Sequence, residues 1–75
     1  MTNDAQSVLD FFKREYWPLQ NRCHQGLAIQ GTGRLSSSTV ATGLDELMAL
    51  GLIKLGPSGG FCLTDEGVRA IGVAP

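Results

Sequence analysis

One stretch of this 75-residue chain constrains the fold more than any other, and it runs from Ser36 to Gly51. Apolar side chains recur in it at helical spacing, at Val40, Leu44 and Leu47. A stripe that repeats every three to four residues predicts an amphipathic helix with one buried face. Ser36 stands where a helix N-cap belongs, and Gly51 suits the left-handed residue that follows a helix. The opposite side of the helix carries small and polar side chains, so we expect it to face solvent.

The residues after this helix predict a β-hairpin. Two short apolar segments, 52 to 55 and 61 to 63, flank the turn-forming residues 56 to 60. Thr64 then fits the N-cap of a short last helix, with Val68 facing the core. A two-stranded ribbon is marginally stable alone, so the hairpin must lie against the helices.

The first half of the chain predicts two further helices. Apolar spacing predicts one from about Ala5 to Trp17, ended by Pro18, with residues 1 to 4 frayed. A short helix from about 20 to 29 follows, and then a glycine turn at 31 to 33. The expected fold is therefore mainly α with a small β-hairpin, made of three helices, a two-stranded hairpin and a short C-terminal helix.

Length and charge limit the classes of function. A chain of this size forms one domain, here residues 1 to 75. Six Lys and Arg against seven Asp and Glu give a net charge of -1, so no global positive field attracts nucleic acid and any such binding must be local. Neither a membrane-spanning apolar run nor a signal-peptide pattern is present in the sequence, so we expect a cytoplasmic protein without membrane contact.

The residues of redox, metal and catalytic chemistry form no recognisable site in the sequence. A cytoplasmic chain usually keeps its thiols reduced, so we expect Cys23 and Cys62 to be free. Adjacent Cys23 and His24 lack the spacing of paired zinc ligands, and Cys62 is the one further cysteine, so we expect no metal site. The triple serine at 36 to 38 lacks the flanking glycines of a nucleophile elbow. We therefore expect neither enzymatic activity nor a cofactor.

Three short motifs follow one another in the sequence. They are the serine-rich start of the helix from Ser36, the Gly-Leu-Ile segment at the end of that helix, and the Leu-Thr-Asp-Glu-Gly segment after the hairpin. In these motifs the chain resembles the winged helix-turn-helix domains of small bacterial transcription regulators, such as the multiple-antibiotic-resistance regulator family. The resemblance covers roughly residues 27 to 72. It rests on Leu27-Ala28, Gly33, Ser36 to Val40, Gly51 to Ile53 and Leu63 to Gly67.

The resemblance implies a DNA-binding transcription regulator. The helix from Ser36 would enter the major groove, and the hairpin would touch the DNA backbone or minor groove. A dimer would supply two such helices to double-stranded DNA. The residues implied to contact DNA are Arg34, Ser37, Ser38, Thr39, Thr42, Lys54 and Ser58.

Two alternatives stay open. The helix from Ser36 contains no Lys or Arg and carries Asp45, which favours a winged helix that binds a protein, as an adaptor or inhibitor, and not DNA. The aromatic residues Phe11, Tyr16 and Trp17 either form a dimer or partner surface on the first helix or are all used in the small core.

Overall fold

The computed structural model describes residues 1 to 17 and 19 to 75. The fold is mixed α/β, with four helices and one small antiparallel sheet of three strands in the order β1-β3-β2. Within the described residues, no helix combines the length and the apolar character that a membrane crossing requires. The elements in chain order are α1 (Asn3–Tyr16), β1 (Cys23–His24), α2 (Gly26–Thr32), α3 (Ser37–Ala49), β2 (Ile53–Leu55), β3 (Phe61–Leu63) and α4 (Asp65–Ala70).

Helix α1 begins earlier than the sequence predicts. The side chain of Thr2 accepts a hydrogen bond from the backbone N–H of Ala5, which caps the helix. The backbone N–H of Thr2 also donates to Glu46 Oε2 of α3 at 2.9 Å. Residues 3 and 4 are therefore helical, and the prediction that they fray is wrong. The backbone turns extended at Trp17, whereas the predicted stop at Pro18 lies outside the described residues.

The second predicted helix is displaced, and a strand takes part of its place. Cys23 and His24 pair with β3, in register with Cys62 and Phe61. The helix predicted from about 20 to 29 therefore starts only at Gly26. Pairing with a distant strand overrides local preference here, and it gives the sheet three strands where the sequence predicts two.

The glycine turn between α2 and α3 also lies later than expected. Helix α2 continues through Gly31 and Thr32, and Gly33 is its C-cap. The chain then reverses at Arg34, which adopts a left-handed backbone with φ of 55°.

The prediction of free thiols is wrong, because Cys23 and Cys62 form a disulfide. The register of β1 against β3 sets the two residues directly opposite each other, with their Cα atoms 4.0 Å apart. The bond lies on the face of the sheet that also carries Lys54, since Lys54 pairs with Cys62 across β2 and β3.

The second half of the chain matches the sequence prediction closely. Ser36 Oγ accepts from the backbone N–H of Thr39, and Gly51 has a φ of 75° after the end of α3. Thr64 caps α4 by accepting from the backbone N–H of Gly67. Its hydroxyl donates to the carbonyl of Gly51 at 2.6 Å, so this residue joins the end of α3 to the start of α4.

The core lies where α1 packs on α3, with the sheet and α4 closing one side. At Gly43 the two helices touch closely, because an added Cβ would lie 2.6 Å from Val8 Cγ2 and 2.7 Å from the Asp4 carbonyl oxygen. This contact fixes the orientation of α3 and so determines which of its faces is exposed. The largest fully buried side chains are Phe11, Phe12, Ile29, Leu47, Leu63, Val8 and Val68.

Candidate functional site

The outer face of α3 is a continuous exposed surface that carries several of the predicted site residues. Ser37, Ser38, Ala41, Thr42 and Asp45 are exposed along it. The opposite side of the helix is buried against α1, as the apolar stripe predicts. Because every exposed side chain here is short, the helix backbone can approach another surface closely. Three of these residues also carry hydroxyl groups that can donate or accept hydrogen bonds.

One predicted contact residue, Thr39, belongs to the helix cap and not to the outer face. It is half-buried, and its Oγ1 accepts a hydrogen bond from Ser36 Oγ at 2.9 Å. Ser38 Oγ lies 3.3 Å from the same Ser36 oxygen while its residue stays exposed. The hydroxyls at the start of α3 thus form a small network, in which Ser36 and Ser38 are exposed and Thr39 is half-buried.

Two of the nearby cations gather at the start of α4. Arg22 Nη1 donates to Asp65 Oδ1 at 2.8 Å. This hydrogen bond raises the pKa of Arg22 and lowers the pKa of Asp65. Lys54 on the outer face of the sheet contributes more weakly to the lowered pKa of Asp65. The charge of Arg22 is therefore already neutralised, and no local sequence pattern indicates this pairing because Asp65 lies 43 residues away.

Arg34 stands alone at the turn between α2 and α3. It is exposed, and its backbone N–H donates to the carbonyl of Gly31 at 3.3 Å. Within residues 1 to 17 and 19 to 75 its guanidinium makes no hydrogen bond or ion pair. A left-handed backbone costs a residue with a Cβ about 1 to 2 kcal/mol. A long cationic side chain is thus kept exposed where glycine or asparagine would be more stable.

The tip of the hairpin is fastened to the start of α2. Ser58 is exposed, and its carbonyl accepts a hydrogen bond from Gln25 Nε2 at 3.3 Å. Gln25 is the N-cap residue of α2, and it lines a groove together with Ser37 at the start of α3. The hairpin tip and the N-terminal ends of two helices are therefore neighbours.

The groove is an apolar depression of about 660 Å³ between α2, α3 and β3, which we call the α3 groove. Leu27 is 82% exposed at its edge. Asp45 is the one charged residue among those that line it. The groove cannot be predicted from the sequence, because Leu27 belongs to an apolar pair on a short helix and such a pair ordinarily indicates a buried position. The apolar lining comprises Leu27, Val40, Ala41, Leu44, Met48 and Phe61.

The predicted aromatic surface on α1 is reduced to one residue. Phe11 is 1% exposed and Tyr16 is 4% exposed, so the core uses both. Trp17 is 56% exposed, and Leu19 beyond it is 85% exposed. The predicted surface of Phe11, Tyr16 and Trp17 is therefore wrong for the first two, whose side chains are needed to fill a small interior.

His24 is half-buried, and its ring packs beneath the sheet against the core. Its ring packs edge-on against Phe11 and Phe12, with centroid distances of 5.0 and 5.4 Å. Its Nε2 is buried without a hydrogen-bond partner among the described residues. This burial lowers the pKa of His24, and the charge of Glu15 opposes the shift only in part. The neutral imidazole is therefore the form that the fold accepts.

Comparisons with protein families, with curated proteins and with solved structures give no match for this chain. The chemistry of its own surface is what supports a function.

Proposed function

We propose that this chain is a winged helix-turn-helix regulator that binds double-stranded DNA with α3 in the major groove. The exposed outer face of α3, with its short hydroxyl-bearing side chains Ser37, Ser38 and Thr42, is the observation that carries this proposal. The major groove admits one helix, and the N-terminal residues of that helix reach the base edges. Serine and threonine hydroxyls hydrogen-bond to either bases or phosphates.

The arrangement of the neighbouring elements supports the same proposal. Helices α2 and α3 follow each other across a short turn, and the β2-β3 hairpin comes directly after α3. This is the order that the resemblance to small regulators implies. Ser58 at the hairpin tip lies next to the start of α2, so α3 and the hairpin can contact one ligand together.

The charges of the site predict weak binding by a single copy. Arg34 and Lys54 are exposed, whereas Arg22 is paired with Asp65. Each phosphate contact contributes about 0.9 to the slope of log affinity against log salt. Two such contacts give a slope of about -2, which is shallow for a DNA-binding protein.

Fluorescence anisotropy with labelled duplexes drawn from a randomised pool, at low and moderate salt, tests the proposal. We expect binding at low salt that falls with the shallow slope above. Thr42→Ala should change the preference among sequences more than the overall affinity, because a hydroxyl on the α3 face reads bases and adds no charge. An absence of binding at the lowest salt would overturn the proposal.

A protein-interaction module remains the second candidate, and the Arg22–Asp65 pair favours it. The pair removes a cation that DNA binding would use, and Asp45 adds a negative charge to the exposed face of α3. Failure to retain any duplex from the pool, by a chain shown to be folded, would favour this candidate.

A further inference from the structure

An apolar knob projects from the C-terminal end of α1. It consists of Trp17 and Leu19, which are 56% and 85% exposed. The rings of Trp17 and Tyr16 pack edge-to-face with a centroid distance of 5.3 Å, so part of the indole contacts the buried Tyr16 while the rest meets water. We call these two residues the Trp17 knob. Large aromatic side chains of this kind dominate the energetics of protein interfaces.

The last turn of α1 before the knob carries Lys13, Arg14 and Glu15, two positive charges and one negative, which leaves a net charge of +1. Lys13 and Arg14 lie one helical turn before Trp17 and are exposed. Neither forms an ion pair within the part of the chain that the structure describes. The knob is therefore an apolar tip on a basic helix end.

The α3 groove has an apolar lining like the knob and a charge opposite to that of Lys13 and Arg14. It is concave and apolar, and its volume of about 660 Å³ falls in the range of pockets that enclose a compact ligand. Its one charged lining residue is the acidic Asp45, which is exposed and forms no ion pair within residues 1 to 17 and 19 to 75. The knob and the groove are therefore both apolar, and the basic residues beside the knob are opposite in charge to the acidic residue of the groove.

We propose that the Trp17 knob of one copy of this chain docks into the α3 groove of a second copy, with Lys13 and Arg14 facing Asp45. Both halves of the contact lie exposed on the same fold, so the chain carries its own partner. The net charge of -1 and the low charged fraction of 17% give two copies little mutual repulsion. A reciprocal contact closes a twofold dimer, whereas a one-way contact adds copies in a chain.

Docking of this kind covers part of the proposed DNA-binding face. Ser37, Ala41 and Asp45 line the groove and also belong to the outer face of α3. Self-association and DNA binding therefore compete, and DNA should dissociate the associated form. Both surfaces belong to the chain itself, so self-association is expected in the absence of DNA, whatever the outcome of the DNA-binding test.

Sedimentation velocity of the full chain over a range of concentrations, with parallel tryptophan emission spectra, tests the proposal. Trp17 is the only tryptophan, so its emission reports directly on the knob. We expect the sedimentation coefficient to rise with concentration while the emission maximum moves to shorter wavelength. A chain that stays monomeric at every concentration would overturn the proposal.

Matched variants locate the contact. Leu27→Asp should abolish both concentration-dependent changes, whereas Leu50→Asp should preserve them, because Leu50 is also exposed but lies outside the groove. Circular dichroism checks that both variants are folded. Self-association that survives Leu27→Asp and Trp17→Ser alike would place the interface elsewhere and contradict the proposal.

Charge reversal tests the pairing of the two rims. Asp45→Lys should weaken self-association about fivefold, since a rim ion pair contributes up to about 1 kcal/mol. A Lys13→Asp and Arg14→Asp double variant should weaken it similarly. Mixing the Lys13→Asp and Arg14→Asp double variant with the Asp45→Lys variant should restore association, because the reversed charges then face each other. If the mixture associates no better than either variant alone, the proposed orientation is wrong.

Discussion

At the scale of single residues, three of the described positions have a conformation or burial that opposes the residue present: Gln20 and Arg34, with left-handed backbones, and His24, with a buried ring nitrogen. Arg34 holds a left-handed backbone that a residue with a Cβ rarely adopts, and its charge is unpaired among the described residues. His24 packs its ring edge-on against two phenyl rings, and its buried Nε2 has no hydrogen-bond partner among the described residues. A residue that costs stability where it stands points to a role outside stability, and for Arg34 the proposed DNA contact supplies one.

Arg34→Asn should separate stability from binding. Asparagine tolerates the left-handed region, so the free energy of unfolding should rise by up to about 1 kcal/mol. The loss of one phosphate contact should lower DNA affinity and reduce the salt slope by about 0.9. Urea denaturation and anisotropy measure the two effects, and Arg34→Lys, which keeps the charge, is the control for binding. Unchanged affinity in Arg34→Asn would remove this residue from the DNA contacts.

Acidification should destabilise the fold through His24. Its pKa is lowered in the folded chain by burial, whereas the unfolded chain has the usual value of 6.5. Protons therefore bind the unfolded form first, and stability should fall as the pH drops below about 6.5. Urea denaturation at pH 7 and pH 5 measures this loss, which His24→Phe should largely remove. Glu46 and Asp65, whose pKa values are also lowered, lose their stabilising contribution only at lower pH.

At the scale of elements, the fold depends on how closely α1 and α3 approach and on how β1 joins the sheet. Gly43 allows the close approach of α1 and α3, because a Cβ at this position would clash with both Val8 and the backbone of Asp4. The Cys23–Cys62 disulfide secures the second, since β1 has only two residues to pair. The two contacts hold the α3 face and the strand before α2 in fixed positions.

Gly43→Ala should destabilise the protein although alanine favours helices. The added methyl forces α1 away from α3, at a cost of about 1 to 3 kcal/mol. Gly31→Ala in α2 is the matched control, because an added Cβ there has no atom within 4 Å. That variant should gain up to about 1 kcal/mol of helix propensity. Thermal denaturation of both compares them, and equal effects of the two substitutions would contradict the close helix contact.

Reduction of the disulfide should lower stability by about 4 kcal/mol, on the chain-entropy relation for residues 39 apart in sequence. Urea denaturation with and without a dithiol reductant measures the difference. The Cys23→Ser and Cys62→Ser double variant should behave like the reduced protein. An unfolding midpoint that does not respond to the reductant would show that the bond contributes nothing to the folded state.

At the scale of the whole molecule, the sequence predicts what local chemistry determines and misses what distant pairing determines. Helix α3 and helix α4 are predicted because Ser36 and Thr64 carry caps that act over three residues. The distant contacts are the pairing of β1 with β3, the disulfide and the Arg22–Asp65 ion pair. Each joins residues about 40 apart in sequence, so no local pattern predicts it. The groove depends on several elements at once, so it too becomes visible only in three dimensions.

Whether α3 is the DNA-binding element is the central question for the molecule. The most direct measurement is nuclear magnetic resonance of the isotope-labelled full chain, titrated with a duplex from the randomised pool at low salt. We predict amide shift changes concentrated at residues 34 to 42 and at the hairpin tip around Ser58, with α4 little affected. Shift changes confined to the C-terminal end of α1, or none at any DNA concentration, would contradict the proposed function.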